Sequence, residues 1–241
     1  MTSDADARLL APYRAVRRVS AGDDVPWSGL LVQLSSGESR VLVDATGFDA
    51  DWAGWRANAD GHILAPLDLI RRSDGHSVLL PLCSERVEDF LVRRAARRVP
   101  LSVGETVTLG VSLVRGFSAW HTIGDAPGEW WLTDGGRPVL ACGLGRRDVP
   151  RHTAELLRAL ADGSPCSSAL AFAAEALTAA RVSTRDLHDA EDALFGVATA
   201  EPLATSLLGP RSAREVVAFD RVARPAPHPA RLAAARRRIP M

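Results

Sequence analysis

"HTIGDAPGEWWLTDGGRPVLACGLG", residues 121–145, decides how the rest of the chain is read. Its middle holds two short strands, "EWWLT" and "RPVLAC", around the turn Asp134-Gly135-Gly136, a glycine-bearing connection that suits a hairpin. Upstream, "SVGETVTLGVSLVRGFSAWH" reads as a long helix from Ser102, with Ser102 and Glu105 at capping-box spacing. Before that, "SERVEDFLVRRAARR" places Val87, Phe90, Leu91 and Ala95 near one face, with Ser84 the expected cap and Pro100 the stop. The hairpin therefore follows two helices.

N-terminal to Leu82 the pattern is strand-like. "YRAVRRVS", "WSGLLVQLSSGESRVLVDA" and "HILAPLDLIRRSDGHSVLLPL" carry apolar runs separated by SSGE and SDGH turns, and predict about five strands of an antiparallel sheet. Between them "FDADWAGWRANAD" is expected to form one short helix, with Asp49 or Asp51 near its start and Gly61 after its end. Beyond the hairpin, helices are expected over 151–162, 166–181 and 184–197. Strands first and helices after argue for an α+β fold.

Composition narrows the function classes. The chain has 241 residues, and its 29 basic residues balance 29 acidic ones, so no global field draws it to nucleic acid. Every basic residue is arginine; lysine is absent, and asparagine occurs once, at Asn58. A high-G+C genome produces this bias without selection on function, yet chemistry that needs lysine is unavailable. Cys83, Cys142 and Cys166 fit neither a disulfide framework nor a zinc site, which suggests a reducing cytoplasm. The N-terminus lacks signal-peptide character, and no apolar run is long enough to span a bilayer.

The order of elements resembles the protein kinase fold: a five-stranded lobe with one helix, then a helical lobe whose first long helix runs into the catalytic loop. The passage 59–94 is similar to the kinase stretch through the hinge, and 118–145 to the catalytic loop, hairpin and magnesium loop of bacterial Ser/Thr kinases. The resemblance implies an N-lobe at 12–82, a reduced C-lobe at 83–221 and a basic tail at 222–241.

The resemblance also implies a position in this chain for each catalytic part of a kinase. The glycine-rich loop falls at "VSAGDDVPWSG", where Gly22 is followed by Asp23 and Asp24. The third-strand lysine position falls at Asp44, which would replace attraction for phosphate by repulsion, each worth roughly 4 kcal/mol at about 4 Å in an effective dielectric near 20. Only an arginine, for example Arg40 or Arg56, could substitute. The lysine's glutamate partner has no counterpart between Asp49 and Asn58. Asp125 is the remnant candidate for the catalytic base, its alternative being a turn residue; His121 reads as structural. The metal-binding asparagine position falls near Glu129, and the metal-binding aspartate is replaced by Cys142, a poor ligand for Mg2+.

These losses together suggest an inactive pseudokinase with no cofactor and no bound metal, working by holding a protein partner. Trp52 and Trp55 are the candidate partner surface, or else pack the short helix onto the sheet. A second reading keeps an enzyme, with Asp125, Glu129 or Cys142 acting on a small substrate in the inter-lobe cleft; a third makes the resemblance coincidental. Arg231, Arg236, Arg237 and Arg238 follow a proline spacer in the tail, which is either solvated or a weak tether to an anionic membrane surface. The expected location is cytoplasmic, with membrane association through that tail as the alternative.

Overall fold

The computed structural model describes residues 13–22, 25–124, 126–145 and 147–205. By contact density the chain divides into two units, Met1–Thr205 and Ser206–Met241. The second unit, which contains the basic tail with Arg231, Arg236, Arg237 and Arg238, lies outside the described residues, as do Asp23, Asp24 and Asp125.

The expected strands form: β1 (Tyr13–Val19), β2 (Gly29–Leu34), β3 (Ser39–Asp44), β4 (Asp68–Arg72) and β5 (Gly75–Pro81). They make one antiparallel sheet in the order β1-β2-β3-β5-β4. The two central strands are apolar on both faces, and alternation sorts their side chains. Val41, Val43, Val78 and Leu80 enter one buried cluster with Trp52. Leu42 and Leu79 enter another with Val32 and Ile70.

The segment 45–61 does not form the expected α-helix. It holds two short 3-10 turns, Ala45–Gly47 and Ala53–Arg56, and the second has no side-chain cap. Gly54 weakens a helix there, and the Trp52 ring folds back over it: a Cβ at 54 would lie 2.3 Å from that ring. Inward packing of the tryptophan overrides the weak helical periodicity.

A short strand, β6 (Cys83–Arg86), precedes α1 (Val87–Ala96). Ser84 is therefore part of a strand rather than a helix cap, and the N-cap position is Arg86, with no side-chain cap. The strand forms because β6 pairs with β7 (Gly128–Thr133), which in turn pairs with β8 (Pro138–Cys142). Cys83 is thereby buried with Leu64, Trp131, Val139 and Ala141. The hairpin turn forms as expected, with Gly136 at φ 78°.

Helix α2 (Val103–Ile123) opens on the expected capping box, Ser102 and Glu105 each bonding the other's backbone N–H. After the hairpin come α3 (Val149–Ala161), α4 (Ser167–Thr178) and α5 (Thr184–Phe195), close to the expected spans. The described chain then crosses the start of α2 as a strap: Glu201 N–H donates to the Gly104 carbonyl, and Ala204 N–H to the Glu105 carboxylate. The whole is an α+β fold with a five-stranded sheet, a short connection, and helices around a hairpin, in the order the resemblance implies.

Candidate functional site

The place to look for chemistry is the cleft between the sheet face carrying Val41 and Val43 and the face of the β7–β8 hairpin carrying Glu129 and Trp131. Apolar side chains of the described residues line it. Trp27 packs against both the sheet cluster and the hairpin cluster. Its ring lies 5.5 Å from Trp52 and 5.0 Å from Phe48, while Phe48 and Trp52 are 4.3 Å apart. Leu64, Leu144 and Trp131 complete the apolar fill from the hairpin side. Trp52 closes the back: its indole N–H donates to the Cys142 carbonyl at 2.9 Å, tying the 45–61 segment to the end of β8.

Arg86, at the junction of β6 and α1, bridges the front. It donates to the Gly22 carbonyl at 2.7 Å and to the Glu129 carboxylate at 3.1 Å. The guanidinium also lies 4.8 Å from the centre of the Trp131 ring and 3.9 Å from Asp89. Such a planar fork can satisfy a carbonyl and a carboxylate while stacking on an indole, which a point-charge ammonium cannot. Sequence reading missed Arg86, because "SERVEDF" presents it as one more charge on an exposed helix start.

The structure gives each expected site residue a place. Gly22 has φ 88° and turns the chain, its N–H bonded to the Val25 carbonyl and its own carbonyl accepting from Arg86. Asp44 is corrected. It is exposed, on the opposite strand parity from Val41 and Val43, and caps the following turn through the Thr46 hydroxyl and N–H. Those two bonds from Thr46 hold its carboxyl below the usual range. The side chains that β3 presents to the cleft are Val41 and Val43, so Asp44 does not face it.

Arg40 and Arg56 are committed elsewhere. Arg40 pairs with Glu38 at 3.2 Å and approaches Asp134 at 4.0 Å. Arg56 donates to the Ile123 carbonyl at the end of α2. His121 is exposed and stacks on Phe117, their ring centres 6.0 Å apart. Trp52, at 7% exposed, is interior and not part of a partner surface; Trp55, at 36%, keeps an accessible edge and anchors its N–H on the Asp49 carbonyl.

Glu129 and Cys142 do not converge. Glu129 faces the cleft and is spent on Arg86, while strand alternation places Cys142 on the opposite side, fully buried. Burial pushes the Cys142 thiol up to about 12, which disfavours the thiolate form that a nucleophile or metal ligand needs. Glu129 and Cys142 therefore do not share one site, and the third candidate, Asp125, lies outside the described residues.

No family model matches the chain, and no curated protein does. Among solved structures it is similar to the kinase domain of Mycobacterium tuberculosis PknI, with 16% identity and a TM-score of 0.42 over 78% of this chain and 97% of that domain. A single-substitution mutant of the same domain gives 16% identity and a TM-score of 0.43, over 77% of this chain and 96% of that one.

Proposed function

We propose that this chain is a catalytically inactive, kinase-like module that works by binding a protein partner, its nucleotide cleft closed by its own side chains. The observation that carries the reading is the occupancy of the cleft by Trp27, Trp52, Leu64, Trp131 and Leu144, latched by Arg86 across Gly22 and Glu129. A nucleotide entering between the lobes has to expel at least one buried tryptophan, an exposure that costs about 3–5 kcal/mol by analogy with large-to-small core substitutions. Little among the described residues repays it. The β3 positions facing inward are valines, the Glu129 carboxylate on the hairpin face is already paired, and the chain has no lysine for a phosphate anchor.

A module of this kind acts through its surface. The exposed edge of Trp55, whose ring packs on that of Trp52, is the part of the expected partner surface that remains accessible. Incubation with γ-labelled ATP and Mg2+ or Mn2+ is expected to label neither the chain nor generic protein substrates. Labelling that is abolished by Asp125→Ala would establish phosphotransfer and overturn the reading.

A further inference from the structure

On the far side of the hairpin from the cleft, a cavity of about 330 Å3 opens between α2, the β7–β8 turn and the strap. One face of α2 lines it: Thr108, Val111, Ser112 and Arg115 follow helical spacing. His62 and Arg137 enter from the side.

Some of the polar groups around it are already satisfied, as buried polar groups generally are. Thr108 donates to backbone carbonyls of Gly104 and Glu201. Arg115 holds Glu191 through two bonds, at 2.8 and 3.0 Å. Ser112 differs: it is 4% exposed, lines the cavity, and its hydroxyl has no hydrogen-bond partner among the described residues. Arg137 is half-buried and donates to the Ala59 carbonyl at 2.9 Å, but no carboxylate lies within ion-pairing distance of it among the described residues. His62 bonds the Pro138 carbonyl through Nδ1 at 3.2 Å. Since a carbonyl only accepts, Nδ1 carries the proton and Nε2 of the neutral ring is left as an acceptor. Burial first, then the neighbouring Arg115 and Arg137, hold His62 below the ordinary imidazole range, which favours that neutral form.

Arg137 without a carboxylate partner, Ser112 without a hydrogen-bond partner and His62 with a free Nε2 thus line one cavity, beside apolar walls from Phe195, Pro138 and Leu203. We propose that this cavity binds a small oxyanion that also carries a hydroxyl: a phosphate monoester or a 2-hydroxycarboxylate with a compact apolar body. The oxyanion pairs with Arg137 and accepts from Ser112, the ligand hydroxyl donates to His62 Nε2, and the apolar body rests against Phe195 and Leu203. This site lies apart from the inter-lobe cleft and does not depend on whether the cleft is active.

Titration of the full chain with mandelate and, separately, inorganic phosphate, followed by calorimetry and amide chemical shifts, tests the proposal. Saturable binding is expected for at least one probe, and the responding probe distinguishes carboxylate from phosphate. Arg137→Met and Ser112→Ala, each first shown to retain the wild-type circular dichroism spectrum, are expected to weaken it about tenfold or more, a change of about 1.4 kcal/mol. Absence of saturable binding of both probes up to about 20 mM, or wild-type affinity in either variant, would overturn it.

Discussion

Trp52 spends its indole N–H on the Cys142 carbonyl and its ring on Trp27 and Phe48, so one side chain joins three parts of the chain. Trp52→Ala is expected to cost about 3–5 kcal/mol, read as a fall in Tm of about 10 °C in a chain of this size. Arg86→Ala removes the bridge between Gly22 and Glu129 and leaves Glu129, 17% exposed, without its counter-ion. Hydrogen exchange is expected to quicken at Ala21, Gly22 and Val25 while α2 stays protected; Arg86→Lys restores charge but not the fork, and should not restore the protection. At this scale the sequence was only partly legible. Asp44 was identified as the residue replacing an anchor, but side-chain direction in a strand reverses with a single step, and Val43 is what faces inward. Arg86 could not be recognised because its polar contacts come from residues 64 positions upstream, 43 downstream and 3 along the helix.

Elements with local signals formed where their residues placed them. The Ser102 and Glu105 box starts α2, and the Asp134-Gly135-Gly136 turn closes the hairpin, because both depend on neighbours a few residues away. The 45–61 segment and β6 departed from expectation because distant partners decide them: the cleft claims Trp52, and the hairpin claims Cys83 as a strand residue. Glu105 illustrates how a local cap acquires distant work. Besides capping, it binds the buried Arg94 through two bonds and receives the strap at Ala204. Glu105→Ala leaves Arg94 buried and unpaired and is expected to cost about 3–5 kcal/mol. Burial alone would raise the Glu105 carboxyl, but Arg94 and the N–H groups of Ala204 and Ser102 draw it below its ordinary value of 4.5. A lowered folded value means that the stabilisation is complete above pH 4.5 and is lost as pH falls through the folded value. Wild-type stability should therefore drop more steeply than that of Glu105→Gln on acidification below pH 4.5 in urea melts. At the strap, a Cβ at Gly104 would lie 2.4 Å from the Glu201 side chain and 2.7 Å from the Thr199 carbonyl. Gly104→Ala is expected to lift the strap, seen as faster limited proteolysis within residues 199–205.

Across the whole molecule, the order of strands, connection, helices and hairpin was readable because each element carries its own periodicity and turn chemistry. The packing of tryptophans between the sheet and the hairpin was not. It arises from tryptophans at 27, 52 and 131 meeting across about a hundred positions of sequence, and periodicity says only that each has an apolar side. The separate cavity behind the hairpin escaped for the same reason, its groups coming from residues 62, 112 and 137. The proposed inactivity turns on whether Mg-ATP finds room between the lobes, and a thermal-shift titration measures that directly, since a ligand at about 100 times its Kd adds about 2.7 kcal/mol to stability. Titrating the full chain with ATP and with ADP, with and without Mg2+ or Mn2+, is expected to leave Tm unchanged at millimolar nucleotide. A saturable, metal-dependent rise in Tm that disappears in Val43→Trp would contradict the account, by showing that the cleft opens and holds nucleotide.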